Sequence, residues 1–473
     1  MADILHSRSP SDPSDELGRF TVWDAAAVGE AVARAQEAFP RWRDAGFEAR
    51  ARVLRRFRDL AHERREELAQ LIAREMGKAL WDARGEAALL AAKVDVTLAE
   101  GMAWVETLDA GPGARASFHP RGVLAVLGPF NFPAHLPNGH IVPALATGNC
   151  VVFKPSEQTP AVGEWMARLW RDAGLPSGVL ELVQGAGPTG EALALAEGVD
   201  GVLFTGSWAV GRRLREATLD QPGKLLALEM GGKNAMIVWR DADLELAAAE
   251  AALSIAATTG QRCSCLSRIF AHREVIDAFQ EQLVSRLAGL RIGPPLEEGV
   301  FMGPLASRTG FDRFQRLRAQ SGAAGGERVF RGEIHRIAPY VAPGLVRFRG
   351  LEQSHPYQRE ELFGPEAALY EVEDLDQAIA AANDSDYGLA ASLISRHRAH
   401  YEHCIGRIRC GILNWNRGTI GASGRLPFGG GRRSGNDRPA GILATLYCTW
   451  PQAHLEKEGG LDPEGLPPGF PRP

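Results

Sequence analysis

The stretch GVLFTGSWAVGRRL, residues 201–214, combines a short apolar run, a Gly-Ser turn and the start of a basic helix. A continuous apolar run of this length is typical of a strand that is buried on both faces of a sheet. Similar runs begin at Val123 (VLAVLGPF), Cys150 (CVVFKPSE) and Val179 (VLELVQG), and helical patterns separate them. Because strands and helices alternate, the sequence predicts an α/β fold with a parallel sheet covered by helices on both faces.

The alternation continues beyond this region. KLLALEMGGKNAMIVW is followed by a long Ala-rich helix predicted at Leu244–Thr258, and then by the strand-like stretches SRIFAHR, EAALYEVE and ASLIS, as far as about Gly411. A glycine-rich tract, 421–435, closes this second set of strands and helices. The Pro- and Gly-rich tail from Gly459 is predicted to be poorly ordered.

The part of the chain before the first strand of this set is predicted to be mostly helical. From Val28 to Met76 apolar residues recur at helical spacing among Arg and Glu, with breaks near Pro40 and Phe47. Residues 79–104 continue this pattern of apolar residues at helical spacing. The segment 108–121 lacks this periodicity and carries Gly, Pro and alternating residues, so it predicts an extended hairpin.

Composition limits the classes of protein. The chain has 473 residues, enough for two or three domains with a substantial core. The formal charge of -5 provides no basic field for nucleic acid, and neither a signal peptide at residues 1–16 nor a membrane-spanning run is expected. Six scattered cysteines are too few for a disulfide scaffold of this size, which favours reduced thiols in a cytoplasmic protein.

Two of the six cysteines stand one residue apart in TGQRCSC, residues 259–265. A zinc site would need four nitrogen or sulfur ligands, and His272 alone lies near in sequence, so no metal site is expected. The alternatives are two buried cysteines, or one accessible and partly ionised thiolate beside a cysteine that only packs. The position on a turn after a helix, next to Gln261 and Arg262, favours the thiolate.

Two glycine-rich turns are candidates for a phosphate-binding loop. Gly185, Gly187 and Gly190 form a literal GxGxxG, but the carboxylate expected further along is poorly matched, which favours a plain turn by about two to one. In FTGSWAVGRRL a strand runs through Gly206 into a basic helix that contains Gly211. Backbone N–H groups at such a helix start could face a pyrophosphate.

Two polar residues stand at predicted strand ends. Glu229, in LALEMGGKN, is either a salt-bridged core residue or a general base with a raised pKa, and the motif alone favours the former. Asn131, in GPFNFP, is a neutral amide donor on a loop at the carboxyl end of a strand. In open α/β sheets, ligands bind at that end.

Six motifs, in this order, resemble those of the aldehyde dehydrogenase superfamily: KPSEQTP, FTGSWAVG, LEMGGKN, GQRC, ELFGP and PFGG. The resemblance extends over nearly the whole chain. It implies an α/β fold of two doubly wound domains, one for NAD and one catalytic, with a small β oligomerisation flap and assembly into homodimers or homotetramers. The implied boundaries are 1–108 and 123–231 for the NAD-binding domain, 232–432 for the catalytic domain, 109–122 and 433–458 for the flap, with a strand near 445–450, and 459–473 for the tail.

The resemblance also implies a mechanism. Cys263 attacks the aldehyde carbon as a thiolate, and the amide of Asn131 and the backbone N–H of Cys263 hold the oxyanion. Hydride passes to nicotinamide and leaves a thioester, which water activated by Glu229 hydrolyses to a carboxylic acid. A thioester needs such a base, so the resemblance favours a catalytic role for Glu229 over that of a salt-bridged core residue. Cys265 is then a bystander.

The resemblance makes the 206–211 turn the cofactor loop and the GxGxxG a supporting turn. The implied cofactor contacts are Lys154, Glu157, Gly206, Ser207, Gly211, Glu361 and Phe363. Lys154 and Glu157 match contacts to the adenosine ribose, whereas Glu361 and Phe363 match contacts to the nicotinamide ribose and ring. Because a carboxylate at Glu157 accepts a hydrogen bond from a ribose 2′-OH and repels a 2′-phosphate, NAD is favoured over NADP.

More narrowly, FNFPAHLPNGHIVPALATGN, ILNWN and SGNDRP resemble the succinylglutamic semialdehyde dehydrogenases of bacterial arginine breakdown. This implies N-succinylglutamate 5-semialdehyde as the substrate, with another semialdehyde such as succinate semialdehyde as the alternative. A dicarboxylate calls for Arg or amide donors. The polar or aromatic residues of these stretches are His135, Asn138, His140, Asn414, Trp415 and Arg433.

The chain departs from this subgroup at three positions: Ala134 replaces a usual Gly, Lys233 a usual Asn and Asp437 a usual His. Two rival functions are a non-catalytic structural protein on the same fold and an acylating enzyme that transfers the thioester to coenzyme A. The joint presence of Cys263, Glu229 and Asn131 argues against the first rival, and the motif around Glu229 argues against the second.

Overall fold

The first of two large sheets has five parallel strands. The computed structural model describes residues 3–334, 336, 339–460 and 465–471. In spatial order the strands are Leu180–Leu182, Cys150–Lys154, Val123–Leu127, Gly201–Thr205 and Leu225–Glu229. The three central strands are buried along their whole length, as their continuous apolar runs predict. The winding reverses between Val123–Leu127 and Gly201–Thr205, and ligands bind outside the carboxyl ends of strands at such a switch point.

The helices before and between these strands share one hydrophobic core with the sheet. Their bounds are Ala25–Asp44, Phe47–Glu63, Arg65–Met76, Leu80–Val96, His135–Ala146, Pro160–Asp172, Gly187–Leu195 and Trp208–Ala217. After Val96 the chain continues through a π-helical turn, Thr97–Gly101, and a 3-10 turn, Met102–Val105. The chain enters this layer from an antiparallel strand pair, Ile4–Arg8 and Glu16–Thr21.

The break predicted near Pro40 is wrong, because the first helix runs through this residue to Asp44. A proline inside a helix costs one backbone hydrogen bond. Here Trp42 anchors the last turn, since its ring is buried and its indole N–H donates to the carbonyl of Leu145 at 3.2 Å. The break predicted near Phe47 is confirmed, because the second helix begins there.

The second large sheet has seven strands. In spatial order they are Glu327–Arg331, Gly344–Phe348, Glu366–Val372, Leu266–His272, Asn234–Val238, Ala390–Ile394 and Ile412–Trp415. The edge strand at 327–331 is antiparallel and the other pairings are parallel. Side chains alternate between two cores on opposite faces, so that Ile269 packs in one and Phe270 in the other. The strands predicted from SRIFAHR, EAALYEVE and ASLIS are confirmed.

Helices lie in the connections of the second sheet. Their bounds are Leu244–Ala256, Ile276–Ala288, Arg308–Ala319, Pro356–Arg359, Leu375–Asn383 and Arg398–Cys404, with a 3-10 turn at Ala257–Gly260. The helix predicted to reach Thr258 therefore ends two residues earlier. Two doubly wound α/β units are thus present, as the fold prediction requires.

A three-stranded antiparallel sheet lies apart from the two large ones. It joins Leu108–Asp109, Ala114–Pro120 and Thr449–Leu455. The hairpin predicted at 108–121 is therefore confirmed. The strand predicted near 445–450 begins only at Thr449, because Ala444–Tyr447 is a helical turn whose Ala444 and Tyr447 side chains are buried in the first core.

The segment 433–441, part of the range predicted for the flap, runs along the edge of the five-stranded sheet. The side chain of Asn436 bonds both ways with the edge strand, accepting from Leu228 N at 2.9 Å and donating to Leu226 O at 2.8 Å. Short strand pairs also form here, Tyr387–Gly388 with Gly431–Arg432 and Pro427–Phe428 with Ala440–Gly441. The domain boundaries as such stay a prediction.

No helix within the described ranges is both long and apolar enough to cross a membrane. The described residues also contain no group of three or more His, Cys, Asp or Glu arranged to hold a metal ion. Within the predicted tail, residues 461–464 and 472–473 lie outside the described residues, and the others form neither helix nor strand.

Candidate active site

The segment that carries Cys263 begins with an unusual backbone. Beyond helix Leu244–Ala256, Thr258, Thr259 and Gly260 have φ angles of 53°, 56° and 73°. A Cβ on Gly260 would lie 2.2 Å from a backbone carbonyl carbon of the neighbouring segment, so only glycine fits. Left-handed φ is unfavourable for β-branched threonine, and backbone strain of this kind concentrates at functional sites.

Side chains hold the two threonines in this conformation. The hydroxyl of Thr258 donates to the carboxylate of Asp82 at 2.5 Å. The guanidinium of Arg262 donates to this hydroxyl and to the same carboxylate, each at 2.8 Å. The hydroxyl of Thr259 donates to the carbonyl of Gly303 at 3.0 Å. Although burial opposes it, the nearby positive charges, that of Arg262 among them, hold the pKa of Asp82 below its usual value. Asp82 is therefore an ionised, buried anchor for the turn.

The two cysteines of the turn differ in exposure. Cys263 is half-buried, whereas Cys265 is buried and its thiol lies 3.7 Å from the carbonyl of Ala257. Burial, together with the nearby carboxyls of Glu361 and Glu229, raises the pKa of the Cys263 thiol. This shift favours the protonated form of the thiol at neutral pH, and the thiolate of the predicted mechanism forms when that proton is lost. A base must remove this proton before the sulfur can act as a nucleophile.

Two buried amides fix the backbone on both sides of Cys263. Asn131 follows the central strand Val123–Leu127, and its side-chain N–H donates to the carbonyl of Gln261 at 2.8 Å. Asn234 donates to the carbonyls of Cys263 and Cys265 at 2.7 and 2.8 Å. Because a carboxamide NH₂ carries two hydrogens, Asn131 retains one for a ligand.

Glu229 ends the edge strand of the five-stranded sheet, as predicted, and only 5% of it is exposed. Its carboxyl accepts a hydrogen bond from Ala440 N at 3.2 Å. Burial raises the pKa of Glu229 to about 8, while the Ala440 bond and the charge of Lys93 oppose the shift. A carboxyl with a pKa near neutrality can take and return a proton, which is the property of a general base.

The two glycines after Glu229 let another carboxyl approach closely, as the motif suggested. A Cβ on Gly231 would lie 2.3 Å from the carboxyl of Glu361, and one on Gly232 would lie 2.4 Å from the carbonyl oxygen of Cys263. Gly232 N donates to Glu361 at 3.0 Å, and burial raises the pKa of Glu361 to about 7. Glu361 and the Cys263 turn therefore lie against the same short loop.

Phe363 has a φ of 54°, which is rare for a bulky residue. Its ring meets that of Phe130 edge-on, with centroids 5.8 Å apart. Phe130 belongs to the loop that leaves strand Val123–Leu127. The strained backbone thus brings an aromatic ring from the second sheet to the switch point of the first.

The predicted cofactor loop has the expected strand–turn–helix form. Strand Gly201–Thr205 runs through Gly206 to Ser207, whose hydroxyl caps helix Trp208–Ala217 by accepting from Val210 N at 3.4 Å. A Cβ on Gly211 would lie 2.4 Å from the sulfur of Met230, so the helix packs closely beside Glu229's strand. The free N–H groups of this helix start suit a phosphate.

The literal GxGxxG forms a turn that holds a lysine. Lys154 donates to the carbonyls of Pro155 at 2.7 Å and Gly185 at 2.6 Å, and burial lowers its pKa to about 8. Glu157 lies 3.9 Å from the Lys154 ammonium and is close to half-exposed. Lys154 is thus committed to the backbone, whereas the carboxylate of Glu157 remains accessible.

Cys263 and Glu229 line one cavity, together with Phe132, His135 and His140. Helix Leu80–Val96 forms another part of the wall, and a glycine-rich loop at 421–424 a further part. Asn131 contacts the Cys263 turn through its bond to Gln261 and is not among the lining residues of this cavity in the described structure. Burial lowers the pKa of His135 and His140 to about 3, so both imidazoles are neutral. His140 is tied by hydrogen bonds to Tyr447 and Thr205.

The other polar or aromatic residues of the stretches that resemble the succinylglutamic semialdehyde dehydrogenases have their contacts in other parts of the structure. Asn138 is buried and donates to Leu90 O, and Asn414 and Trp415 bond to Gly418 O and Ser395 O in the second sheet. Arg433 pairs with Asp386 at 3.0 Å and lies over the ring of Trp208. None of these four is among the lining residues of the cavity in the described part of the chain.

Sequence reasoning missed Asp82 and Lys93 of helix Leu80–Val96. Both are charged residues at buried positions of this helix, and a charge in a buried helical phase is the signal that could have found them. Leu89 and Lys93, four residues apart, share one helix face and both line the cavity. What each charge contacts is decided by tertiary packing.

A sequence profile of the aldehyde dehydrogenase family matches residues 3–451. An N-succinylglutamate 5-semialdehyde dehydrogenase of Chromohalobacter salexigens is 43% identical over 467 residues, which cover 96% of this chain and 95% of that protein. The N-succinylglutamate 5-semialdehyde dehydrogenase 2 of Caulobacter vibrioides is 44% identical over 474 residues, covering 97% and 94%.

A solved structure is similar over the same extent. Aldehyde dehydrogenase C from Pseudomonas syringae, crystallised as a mutant in complex with NAD+ and octanal, superposes with a TM-score of 0.92 at 30% identity. The superposition covers 97% of this chain and 95% of that one. In that relative, the fold binds a nicotinamide dinucleotide and an aldehyde together.

Proposed function

This chain belongs to the aldehyde dehydrogenase family and oxidises an aldehyde with a nicotinamide dinucleotide; we propose that its substrate is N-succinylglutamate 5-semialdehyde and its product N-succinylglutamate. The observation that carries the proposal is the cavity shared by the Cys263 thiol and the Glu229 carboxyl, next to an amide-fixed turn. The names of the two relatives, at 43% and 44% identity over nearly the whole chain, support this substrate. A place in arginine catabolism is what the resemblance of the sequence motifs implies.

In the proposed mechanism, Cys263 forms a covalent bond to the aldehyde carbon. The thiol must first lose its proton, because the thiolate is the nucleophile. The oxyanion that develops is held by the second amide hydrogen of Asn131 and by the backbone N–H of Cys263. The bonds from Asn131 and Asn234 to the backbone keep these donors fixed during the reaction.

When bound, the cofactor accepts the hydride that the tetrahedral adduct expels. The residues present fit such a group, because a capped helix start suits the pyrophosphate and carboxyls at Glu157 and Glu361 suit ribose hydroxyls. Glu229 then takes a proton from water, and the hydroxide releases the acid from Cys263. The predicted roles of Gly206 and Phe363, at the pyrophosphate and the nicotinamide ring, fit their location.

We assign NAD as the cofactor in preference to NADP. The accessible carboxylate of Glu157 would repel a 2′-phosphate. The neighbouring ammonium of Lys154 donates to two backbone carbonyls and is poorly placed to compensate. The described surface around Glu157 thus favours a ribose whose 2′-hydroxyl carries no phosphate.

Homodimers or homotetramers are proposed through the three-stranded sheet, at 109–122 and 449–458. This sheet exposes large apolar side chains, of which Leu108, Trp450 and Leu455 are 62%, 41% and 91% exposed. Exposed apolar residues grouped on an edge sheet are typical of a protein–protein contact. We assign the protein to the cytoplasm, where its unpaired cysteines stay reduced.

The three departures from the subgroup leave the substrate proposal intact. Ala134 is buried at a helix start, Lys233 donates to the carbonyls of Tyr357 and Glu360, and Asp437 is exposed. None of the three is a lining residue of the cavity in the described structure.

The test is NADH formation by the purified protein with N-succinylglutamate 5-semialdehyde, compared with succinate semialdehyde, glutamate 5-semialdehyde and betaine aldehyde. We expect N-succinylglutamate 5-semialdehyde to have by far the highest kcat/KM with NAD. With NADP as the cofactor its kcat/KM is expected to be lower than with NAD. Preference for another aldehyde would refute the proposed substrate, but the proposed type of reaction would still hold. Acid formation without coenzyme A excludes the acylating rival, and any turnover that depends on Cys263 excludes the structural one.

A further inference from the structure

Lys93 is a buried cation of the substrate cavity, and among the described residues its ammonium has a single hydrogen-bond partner. It is only 7% exposed, and its ammonium donates to the carbonyl of Gly441 at 2.8 Å. An ammonium carries three N–H donors, so two remain. Within the part of the chain that the structure describes, no carboxylate lies within 4.0 Å of it, although it lines the same cavity as Cys263 and Glu229.

Neighbouring buried cations are compensated. Lys78 pairs with Glu86 at 2.5 Å, and Arg262 pairs with Asp82 at 2.8 Å. Lys233 has no ion pair among the described residues, but it donates to two backbone carbonyls. Lys93 has neither arrangement, and a buried charge without a partner is costly.

The other titratable groups of the cavity do not supply the missing negative charge. Glu229 is mostly protonated at pH 7, because burial raises its pKa to about 8. His135 and His140 are neutral. The thiol of Cys263 is protonated as well. An anion that enters with the substrate would therefore meet an uncompensated ammonium.

We infer that Lys93 binds a carboxylate of the substrate and thereby selects aldehydes that carry an anionic group close to the aldehyde carbon. Lys93 and Glu229 bond to adjacent residues of one segment, Gly441 and Ala440. A carboxylate held by Lys93 would thus lie near the base, as in a substrate whose carboxylate and aldehyde are joined by a short carbon chain. The inference rests on the proposed function, and it names the residue that recognises the anion.

The test measures selection by charge. N-succinylglutamate 5-semialdehyde is compared with its uncharged diester, and the ratio of their kcat/KM values is determined for wild-type protein and for Lys93→Met. We expect the ratio to fall by about 10- to 100-fold, the usual range for loss of a hydrogen bond to a charged group. Arg52→Met removes the charge of an exposed arginine on helix Phe47–Glu63 and is the control, for which the ratio is expected to stay unchanged.

Methionine has a similar length and needs no counter-ion, so the variant is expected to fold, and a thermal melt checks this. Lys93→Arg keeps the charge and is expected to retain most of the ratio. An unchanged ratio in Lys93→Met, with both substrates slowed equally, would overturn the inference and make Lys93 a structural residue. A wild-type ratio near one would instead overturn the anionic substrate itself, and with it the role of Lys93.

Discussion

The pH dependence of thioester hydrolysis is the sharpest test of Glu229. If this residue takes a proton from water, only its ionised form is active, so the rate must rise with pH until the carboxyl is fully ionised. An exposed glutamate would complete this rise below pH 6, because its pKa is about 4.3. Burial at the strand end raises the pKa of Glu229 to about 8, although the N–H of Ala440 donates to its carboxyl and opposes the shift.

The size of the effect follows from this pKa. About a tenth of Glu229 is ionised at pH 7 and about nine tenths at pH 9, so the hydrolysis rate is expected to increase about tenfold between them. In Glu229→Gln the base is missing, and hydrolysis is expected to be slower by about 10²–10⁴ and to lose this pH dependence.

A rapid-mixing experiment separates the steps. Enzyme saturated with NAD is mixed with the aldehyde, and NADH is followed through a burst, which reports the acylation half-reaction, and a steady state, which reports hydrolysis. Glu229→Gln should keep the burst and lose the steady state, while Glu281→Gln, at an exposed helix position, serves as the control. A wild-type steady state that is flat from pH 6.5 to 9 would refute the reasoning. Loss of the burst in Glu229→Gln would show that Glu229 acts first on the Cys263 thiol.

Three further predictions concern the turn. Cys263→Ala is expected to abolish NADH formation, whereas Cys265→Ala should stay within about twofold of wild type because its thiol only packs; the reverse pattern in a turnover assay would exchange the two roles. Asn131→Ala should lower kcat by about 10²–10³, the usual cost of one oxyanion donor, and an unchanged kcat would remove it from that role. Asp82→Ala leaves the largely buried guanidinium of Arg262 without its ion pair and should lower the free energy of unfolding in urea by about 3–5 kcal/mol. Asp95→Ala, at an exposed position, should lower it by less than about 1 kcal/mol. Equal losses would contradict the anchoring role of Asp82.

The fold could be predicted because each of its signals is local. Continuous apolar runs such as those at Val123 and Cys150 mark strands buried on both faces, and the alternation with helices restricts the topology. The exceptions occur where packing outweighs a local signal. Pro40 does not stop its helix because the ring of Trp42 is held in the core, and the chain before Thr449 stays helical because Tyr447 is buried.

The site could be predicted only in part. The turn at Cys263 was visible as a motif, but its left-handed threonines depend on Asp82, which lies 176 residues away in sequence. The ionisation of the thiol depends on its surroundings, because a turn on the surface of a fold and a turn in a cavity can have the same sequence. Desolvation is a property of what surrounds a group, so neither the raised pKa of Cys263 nor the isolation of Lys93 can be read from their neighbours in the chain.

The environment of Glu229 connects the cavity to the small sheet. Ala440, which donates to the Glu229 carboxyl, lies nine residues before Thr449, where the chain enters that sheet. The strand from Thr449 pairs along its whole length with Ala114–Pro120, which holds the end of the intervening segment in place. Ala440 and Gly441 of this segment line the cavity together with Glu229. The segment that contacts the base is therefore anchored at one end by the small sheet.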